Sequence, residues 1–337
     1  MVKAMHRPRA LPPLLAGLLL AACGVDAPKQ YRVPDVRILA IRDHVDPTSL
    51  ADADQDQQVT IEALVANPRG RAPITIEWYG CLPWIPSQGA PQPACLDGQR
   101  LAAPDTLPSA PGVFALGGGA VAPGASATSL VTLDLSTIGP SVSAAFDDLI
   151  AGATWLPQRD ASLPPYDPTL RCRLYAEVPV VAIARAEGVT EVAVKRVRLS
   201  PTLRVRGTAL EGIYVPNANP AIGSVNRDPT APGGCAAAPP LAAPLPAGEI
   251  TLCATATAAS PETFNQCQVD GSLLGVQETL EFQWYVSGGT IDRASFDGNV
   301  VGDDVRLTPP AGPFTVWAIL RDGRGGADWR AVDLPAP

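Results

Sequence analysis

The chain has 337 residues, with 25 Lys and Arg against 33 Asp and Glu, and a formal net charge of −8 at pH 7. An acidic chain lacks the basic footprint that nucleic-acid binding needs and has no electrostatic attraction for anionic lipid. Pro and Gly make up close to a fifth of the sequence, at 37 and 30 residues, while 46% of the residues are hydrophobic. Short apolar runs separated by Pro and Gly are typical of an all-β protein rich in turns.

The first 22 residues have the organisation of a secretory signal peptide. Basic side chains occur at positions 3, 6, 7 and 9, and residues 11–20 form an apolar run. That run is shorter than the roughly 20 residues that a membrane-spanning helix needs. The residues Leu20-Ala21-Ala22-Cys23 resemble a bacterial lipobox, the sequence that signal peptidase cuts before a cysteine that carries lipid. An ordinary secretory peptide with an incidental Cys23 is the alternative.

The lipobox resemblance implies that Cys23 is the first residue of the mature protein and carries three acyl chains, palmitate among them. Gly24 follows it, and a residue other than Asp at this position implies sorting to the outer membrane. We therefore expect a protein anchored in the outer membrane by its lipid, facing the periplasm or the surface, with residues 23–32 as a leader. The mature chain would carry 22 Lys and Arg against 33 Asp and Glu, a formal charge of −11.

In the first half of the chain, alternation of apolar and polar residues predicts strands. They are expected at 33–41, 59–66, 74–79, 129–135, 170–184 and 191–199. Residues 80–127 form a long excursion rich in Pro, Gly and Ala, in which a short strand such as 113–116 is expected. Within it, Gly117-Gly118-Gly119 is interpreted as a flexible linker. A short helix is predicted over 141–151, with Ser141 as its N-cap.

In the second half, strands are predicted at 250–258, 279–286 and 305–308, with a terminal hairpin of 314–321 and 329–334 around the turn Asp-Gly-Arg-Gly-Gly at 322–326. The pattern of Thr60–Ala66 followed by Ile-x-Ile-x-Trp-Tyr recurs as Thr251–Thr257 followed by Leu-x-Phe-x-Trp-Tyr. One architecture used twice is the simplest explanation. We therefore predict two domains, at 33–207 and 208–337.

The strands that contain Trp78 and Trp284, together with the terminal hairpin, resemble immunoglobulin-like and PKD-like extracellular modules. The mature chain resembles Gram-negative lipoproteins that carry such modules in pairs. The resemblance implies an all-β fold of two tandem Ig-like β-sandwiches, with Trp78 and Trp284 packed between the sheets. It also implies a non-catalytic structural or binding module that meets an envelope protein or a glycan.

Six cysteines follow Cys23, and an even number in an exported chain predicts disulfides. Short loops favour pairing of Cys81 with Cys95 and of Cys253 with Cys267. That choice leaves Cys172 and Cys235 to pair across the domain junction. Pairing of Cys81 with Cys172 is an alternative, since both lie on strands that would be neighbours in an immunoglobulin-like sheet.

The residues that catalysis or metal binding would need are sparse. His44 is the single histidine of the mature chain and is expected on a solvated turn, without a nucleophile motif, so we predict that the protein is not an enzyme. Asp52, Asp54 and Asp56 alternate as at the start of an EF-hand loop, but Gln57 stands where that loop needs Gly. A looser calcium site there, serving adhesion, is an alternative hypothesis, and no other cofactor is expected.

Two further groups of residues are candidates for binding. The three tryptophans that packing on core strands explains least are hypothesised to form a glycan or protein contact surface: Trp84, Trp155 and Trp329. A thinner set of acidic residues is found later in the chain, at Asp292, Asp297, Asp303 and Asp304. An envelope enzyme or a carbohydrate-binding accessory that uses a carboxylate cluster is therefore a second hypothesis, from a different functional class.

Overall fold

The computed structural model describes residues 31–45, 50–53, 57–84, 92–144, 176–199, 215–229, 234–242, 244–246, 248–267, 273–292 and 304–337. The side chains of Cys267 and Asp304 are not described. Several sequence predictions fall outside these ranges, namely those on Cys23, Asp54, Asp56, Trp155, Cys172, Asp297 and Asp303. Within the described ranges, no helix has the length and apolarity needed to cross a membrane.

The first sandwich consists of seven strands in two antiparallel sheets. The strands are β1 (Arg37–Val45), β2 (Gln58–Asn67), β3 (Ile74–Cys81), β4 (Val113–Val121), β5 (Gly124–Asp134), β6 (Ala176–Ala186) and β7 (Val189–Leu199). One sheet has the order β1-β2-β5 and the other β4-β3-β6-β7. Period-two alternation buries Ile74, Ile76 and Trp78 along one face of β3, where they meet β2 residues such as Ile61 and Val65.

The excursion between β3 and β4 covers the outer face of the four-stranded sheet. It contains a 3-10 turn (Ala94–Leu96), a short helix α1 (Gly98–Ala102) and a 3-10 segment (Pro104–Ser109). Cys95 and Leu107 from this excursion pack on Val181 and Ile183 of β6. Because both faces of β6 are covered, the strand is buried along almost its whole length, and its sequence is mostly apolar without alternation.

The glycine triplet is part of β4, so its interpretation as a flexible linker is wrong. Gly117, Gly118 and Gly119 pair with Trp78, Glu77 and Ile76 of β3. A Cβ on Gly118 would lie 2.4 Å from the carbonyl oxygen of Ile76, and Gly117 has a φ of 131° that L side chains rarely adopt. Glycine is therefore required here by the approach of two backbones.

The second sandwich follows the same plan. Its strands are β8 (Ile222–Arg227), β9 (Ile250–Ala256), β10 (Thr263–Cys267), β11 (Leu273–Gln277), β12 (Leu280–Val286), β13 (Thr290–Ile291), β14 (Asp304–Thr308), β15 (Phe314–Asp322) and β16 (Ala327–Leu334). They form sheets of order β13-β14-β9-β8 and β12-β15-β16, with β10 and β11 as a separate two-stranded ribbon. Strands β8, β10, β11 and β13 were not predicted from the sequence, because each is short or weakly alternating.

The strand orders define the class of fold. The second sandwich packs a four-stranded sheet on a three-stranded sheet in the strand order of an immunoglobulin constant domain. The first sandwich has a related arrangement, in which its fourth strand, β4, joins the sheet that contains β3. Trp78 and Trp284 each lie on the third strand of this plan and are 1% and 0% exposed. The chain is therefore all-β, with two tandem Ig-like sandwiches, as predicted.

Two disulfides are formed by the described cysteines. Cys81 and Cys95 are joined, with their Cα atoms 6.0 Å apart, which confirms that pairing and excludes the alternative with Cys172. Cys253 is joined to Cys235, with 5.8 Å between Cα atoms, so the predicted Cys253–Cys267 and Cys172–Cys235 pairs are wrong. The reason is that β8 runs beside β9, and the 3-10 turn Gly234–Ala237 that follows β8 returns to Cys253.

Candidate functional site

The outer faces of the two sandwiches pack against each other. Trp317 and Ile319 of β15 meet an apolar patch on the first sandwich that comprises Val33, Leu39, Ala40, Leu64 and Ala66. This contact explains why β15 is apolar at nearly every position. One set of its side chains fills the second core, and the alternate set fills the interface. The two sandwiches are therefore joined by a shared apolar surface.

Polar contacts surround this apolar surface. Arg42 of β1 donates from Nη1 to Asp328 at 2.8 Å and from Nε to Glu62 at 2.8 Å, while its guanidinium lies 4.2 Å from the centroid of the Trp329 ring. Trp317 donates from Nε1 to Ser126 at 3.1 Å. The ring of Trp329 is half-buried and stacked under Arg42, so its role in a glycan or protein contact surface stays a prediction.

Trp84, the second tryptophan of that hypothesis, lies beside the start of β6. Its backbone N–H and C=O both pair with Glu177, at 2.8 Å each, and its ring lies 5.9 Å from the guanidinium carbon of Arg196. Trp84 therefore extends the pairing of β6, and its neighbours differ from those of Trp329.

A group of charged side chains lies where the two sandwiches and the segment between them meet. We call it the junction cluster, and its members are Asp43, Asp52, Lys195, Asn217, Glu262, Glu278, Asp322 and Arg324. All but Glu262 are at most 8% exposed. Charged side chains are rarely buried to this extent unless they are paired, so the contacts within the cluster decide what it does.

Lys195 and Asp43 form a close pair within the part of the junction cluster that the first sandwich contributes, which also includes Asp52. Lys195 Nζ lies 2.7 Å from Asp43 Oδ1, and the same ammonium donates to the carbonyl of Gly325 in the second sandwich. Burial raises the pKa of Asp43, although the charge of Lys195 acts in the opposite direction. The lysine therefore links the two sandwiches, and Asp43 balances its positive charge.

Arg324 is the corresponding residue of the second sandwich. It donates from Nη1 to Glu278 at 3.1 Å, and it lies 3.7 Å from a Glu262 oxygen and 3.9 Å from an Asp52 oxygen. Its Nη2 also donates to the carbonyl of Val215, and Phe264 lies 4.9 Å from its guanidinium carbon. This arginine therefore binds the first sandwich, the connecting segment and the β10–β11 ribbon together.

The turn between β15 and β16 presents Arg324 to the cluster. Asp322 Oδ1 accepts hydrogen bonds from the backbone N–H groups of Arg324 at 2.8 Å and Gly326 at 2.7 Å, and Oδ2 accepts from Asn217 Nδ2 at 3.1 Å. A Cβ on Gly326 would lie 2.2 Å from Asp322 Oδ2, and Gly325 has a φ of 109°. This turn was predicted from the sequence, but the role of Arg324 in the junction cluster was not. The pattern that could have indicated this role is an arginine placed between glycines.

The predicted calcium residues are not assembled by the described part of the chain. Asp52 accepts from the backbone N–H of Asn217 at 2.7 Å and faces Arg324, so it belongs to the junction cluster. No three His, Cys, Asp or Glu side chains in the described ranges are arranged to hold a metal ion. Asp292 is paired with Arg306 at 3.0 Å. His44 lies in β1 opposite Thr60, so its predicted position on a turn is wrong.

The acidity of Glu278 in the cluster is also perturbed. The pKa of its carboxyl is raised to about 7, chiefly by burial and also by the nearby charge of Asp322, while the charge of Arg324 acts in the opposite direction. The junction cluster contains five acids and two bases, namely Lys195 and Arg324. A proton on Glu278 relieves this excess of negative charge, so the junction is sensitive to pH near neutrality.

A groove of about 350 Å³ lies on the outer face of the four-stranded sheet. It is lined by Thr75, Glu77, Tyr79, Pro104, Asp105, Pro108 and Arg185. Arg185 bridges its two walls, since it pairs with Glu77 on β3 and, at 2.5 Å, with Asp105 on the excursion. An aromatic ring, two carboxylates and a guanidinium at one open site can contact polar ligands such as sugar hydroxyls or a peptide.

Comparisons with known proteins add little to this description. No protein-family model matches the chain, and no curated protein matches it. Among solved structures, the D0–D1 domain of intimin matches with a TM-score of 0.20 and 10% identity, over 89% of this chain and 99% of that one. The fibronectin(III)-like modules of Clostridium thermocellum CbhA match with a TM-score of 0.21 and 11% identity, over 87% and 93%.

The Yersinia pseudotuberculosis adhesin InvE matches with a TM-score of 0.19 and 10% identity, over 89% of this chain and 60% of that one. Overlap at this level says nothing about function. The class of the protein follows from its own strand orders, which are those of two all-β sandwiches joined face to face.

Proposed function

We propose that this protein is a lipid-anchored component of the outer membrane that holds a non-catalytic binding surface in a fixed relation to its anchor. The observation that carries the proposal is the position of the leader. The backbone N–H of Val33 donates to Val286 of β12 at 3.0 Å, and the N–H of Val286 donates to Tyr31 at 3.0 Å. Tyr31 is buried in the second core, and the chain then enters β1 of the first sandwich.

Both sandwiches therefore hold the leader immediately after the expected anchor. Seven residues lie between Cys23 and Tyr31, and the eight Cα-to-Cα steps of a fully extended chain span at most about 28 Å. A tether this short keeps the sandwiches near the membrane. The shared apolar interface and the junction cluster restrict how they turn relative to each other, so the surfaces they present keep their orientation.

The groove lined by Tyr79, Glu77, Asp105 and Arg185 is the proposed contact site for an envelope protein or a glycan. The carboxylates of the junction cluster support the non-catalytic assignment, because Glu278, Asp52 and Asp43 face buried cationic partners inside an interface. Buried, paired carboxylates of this kind hold parts of a fold together, whereas catalytic carboxylates need access to substrate.

The anchoring part of the proposal is tested by comparing the full chain with a Cys23→Ser variant in cells fed labelled palmitate. The unchanged chain should incorporate the label and fractionate with the outer membrane, and the variant should do neither. A Cys81→Ser variant is the matched control, since it removes a different cysteine and should still be labelled. Palmitate incorporation by the Cys23→Ser variant would contradict the proposal.

The binding part is tested with a photo-crosslinking amino acid at Thr75, which is exposed at the groove, and at Arg330, which is exposed on β16. Specific products should form from position 75 and not from position 330. They should weaken when Arg185→Gln removes the bridge between the groove walls. Equal products from both positions, or none from position 75, would exclude the groove as the contact site.

A further inference from the structure

Strand β4 is an unprotected sheet edge. Its sequence, Val-Phe-Ala-Leu-Gly-Gly-Gly-Ala-Val, contains no charged residue and no proline. It is the terminal strand of its sheet, and no strand in the described ranges pairs with its other side. Residues 117–120 are exposed, and a Cβ added to Gly117 or Gly119 would meet nothing within 4 Å.

Two other long edge strands differ from β4 in composition, whereas β5, at an edge of the three-stranded sheet, carries a single charged residue, Asp134, at its last position. Strand β7, at the opposite edge of the same sheet, carries Glu191, Lys195, Arg196 and Arg198. Strand β16, at an edge of the second sandwich, carries Asp328, Arg330 and Asp333. Charged side chains on an edge oppose pairing with another chain, and natural proteins commonly use them in this way. Strand β4 lacks that protection.

We propose that β4 pairs antiparallel with β4 of a second copy of this chain, across a two-fold axis, and so joins two four-stranded sheets into one of eight strands. A two-fold axis brings the same strand of each copy together, so charged residues on that strand would come near their like-charged equivalents. An uncharged edge avoids this repulsion.

The distribution of side-chain size along β4 also fits self-pairing. The bulky residues lie in its first half, where Phe114 and Leu116 pack partly against the core, and the glycines lie in its second half. In an antiparallel pair centred between Gly117 and Gly118, the bulky half of each copy lies beside the glycine half of the other. Large side chains then cover the backbone that glycine leaves open, a pairing that stabilises strands.

One feature of β4 opposes pairing along its full length. The register with β3 shifts between Trp78 and Tyr79, so that Leu116 is an extra residue on β4. Such a bulge bends and twists an edge strand. The bulge lies at the centre of the strand, where the proposed axis falls, so each half remains straight enough to pair with the opposite half of the second copy.

The test uses the chain from residue 23 with Cys23→Ser, which removes the anchor, in sedimentation velocity over a range of concentrations. We expect a reversible dimer. The double variant Ala115→Lys/Ala120→Lys should raise its dissociation constant by about tenfold or more, because position 115 of one copy lies beside position 120 of the other. Val189→Lys, at an exposed position of β7, is the matched control and should leave the dimer unchanged.

Charge reversal separates loss of pairing from loss of folding. Ala115→Glu/Ala120→Glu should also be monomeric alone, and mixing it with the lysine double variant should restore a dimer that contains one copy of each. Circular dichroism checks that both variants are folded. A chain that stays monomeric at every concentration, or a dimer that both double variants leave intact, would overturn the proposal.

Discussion

Lys195 and Asp43 form a buried ion pair in which the lysine Nζ lies 2.7 Å from Asp43 Oδ1 and also donates to the carbonyl of Gly325. The ammonium thus links β1 and β7 of the first sandwich to the β15–β16 turn of the second. Removing one partner of a buried pair leaves the other charge without compensation, whereas removing both replaces a polar contact with an apolar one.

Lys195→Met is therefore expected to lower the free energy of unfolding by about 3 kcal/mol or more, because Asp43 would be left buried beside no cation. The double variant Lys195→Met/Asp43→Leu should recover part of this loss. The measurement is urea unfolding followed by tryptophan fluorescence. Arg306→Met is the control, since it breaks an exposed pair with Asp292 and should cost no more than about 1 kcal/mol. Equal losses from Lys195→Met and Arg306→Met would contradict this account.

Stability should fall as the pH rises from about 4.5 to about 7, through the titration of Glu278. Its pKa is raised to about 7 in the folded protein, against an ordinary value of 4.5. The folded state therefore holds a proton that the unfolded state has released, so a higher pH favours unfolding, by up to about 3 kcal/mol. Burial raises the pKa of Asp43 as well, and it contributes with the same sign.

The Glu278→Gln variant tests this assignment, because glutamine mimics the protonated carboxyl. The unchanged protein should melt at a lower temperature at pH 8 than at pH 6. The variant should lose most of that difference and be the more stable of the two at pH 8. If the slope between pH 6 and pH 8 were the same in both, the pH dependence would belong to another group.

Gly326→Ala is expected to destabilise the protein by about 2 kcal/mol. The added Cβ would lie 2.2 Å from Asp322 Oδ2 and 2.9 Å from Pro220, so the aspartate would have to leave the turn that presents Arg324. Gly323→Ala lies in the same turn, where a Cβ meets nothing within 4 Å, and should change stability by less than about 0.5 kcal/mol. Thermal unfolding of the two variants in parallel gives the comparison, and equal effects would contradict it.

The two core tryptophans should differ in their response to phenylalanine. Trp78 donates from Nε1 to Ser129 at 3.0 Å, whereas the buried Nε1 of Trp284 has no hydrogen-bond partner in the described ranges. Both substitutions remove a similar volume, but only Trp78→Phe also removes a hydrogen bond. We expect Trp78→Phe to cost about 1 kcal/mol more than Trp284→Phe in urea unfolding. A larger cost for Trp284→Phe would show that packing outweighs the hydrogen bond.

Local patterns in the sequence were sufficient to predict the fold class and the burial of the two core tryptophans. Alternation in β3 and β12 marks each strand's buried face within six or seven residues, and the same pattern in both halves predicts the repeat. The glycines of β4 were wrongly predicted to form a flexible linker, because the constraint on them comes from β3, which lies more than 30 residues away along the chain. The prediction of the partner of Cys253 was wrong for a similar reason, because the observed disulfide depends on β8 lying beside β9.

The junction cluster was beyond sequence reasoning for a physical reason. Asp43, Lys195 and Arg324 are separated by well over 100 residues each, and each resembles an ordinary solvated charge in its own segment. Only the packing of the two sandwiches brings them together and removes them from water. Asp52 shows the difficulty most clearly. Its alternation with two other aspartates suggested a cation, and the cation that it faces is a side chain of the other sandwich.

The pairing of the leader with β12 has a consequence for the order in which the chain folds. The backbone of Val33 can pair with Val286 only after Val286 has been synthesised, more than 200 residues later in the chain. The seven strands of the first sandwich are complete long before that point, whereas the leader and the apolar patch around Leu39 remain uncovered until the second sandwich forms. The leader around Val33 is thus synthesised early but is among the last segments to pack. A chain that ends before β12 would keep the apolar patch around Leu39 exposed, and such a surface promotes aggregation.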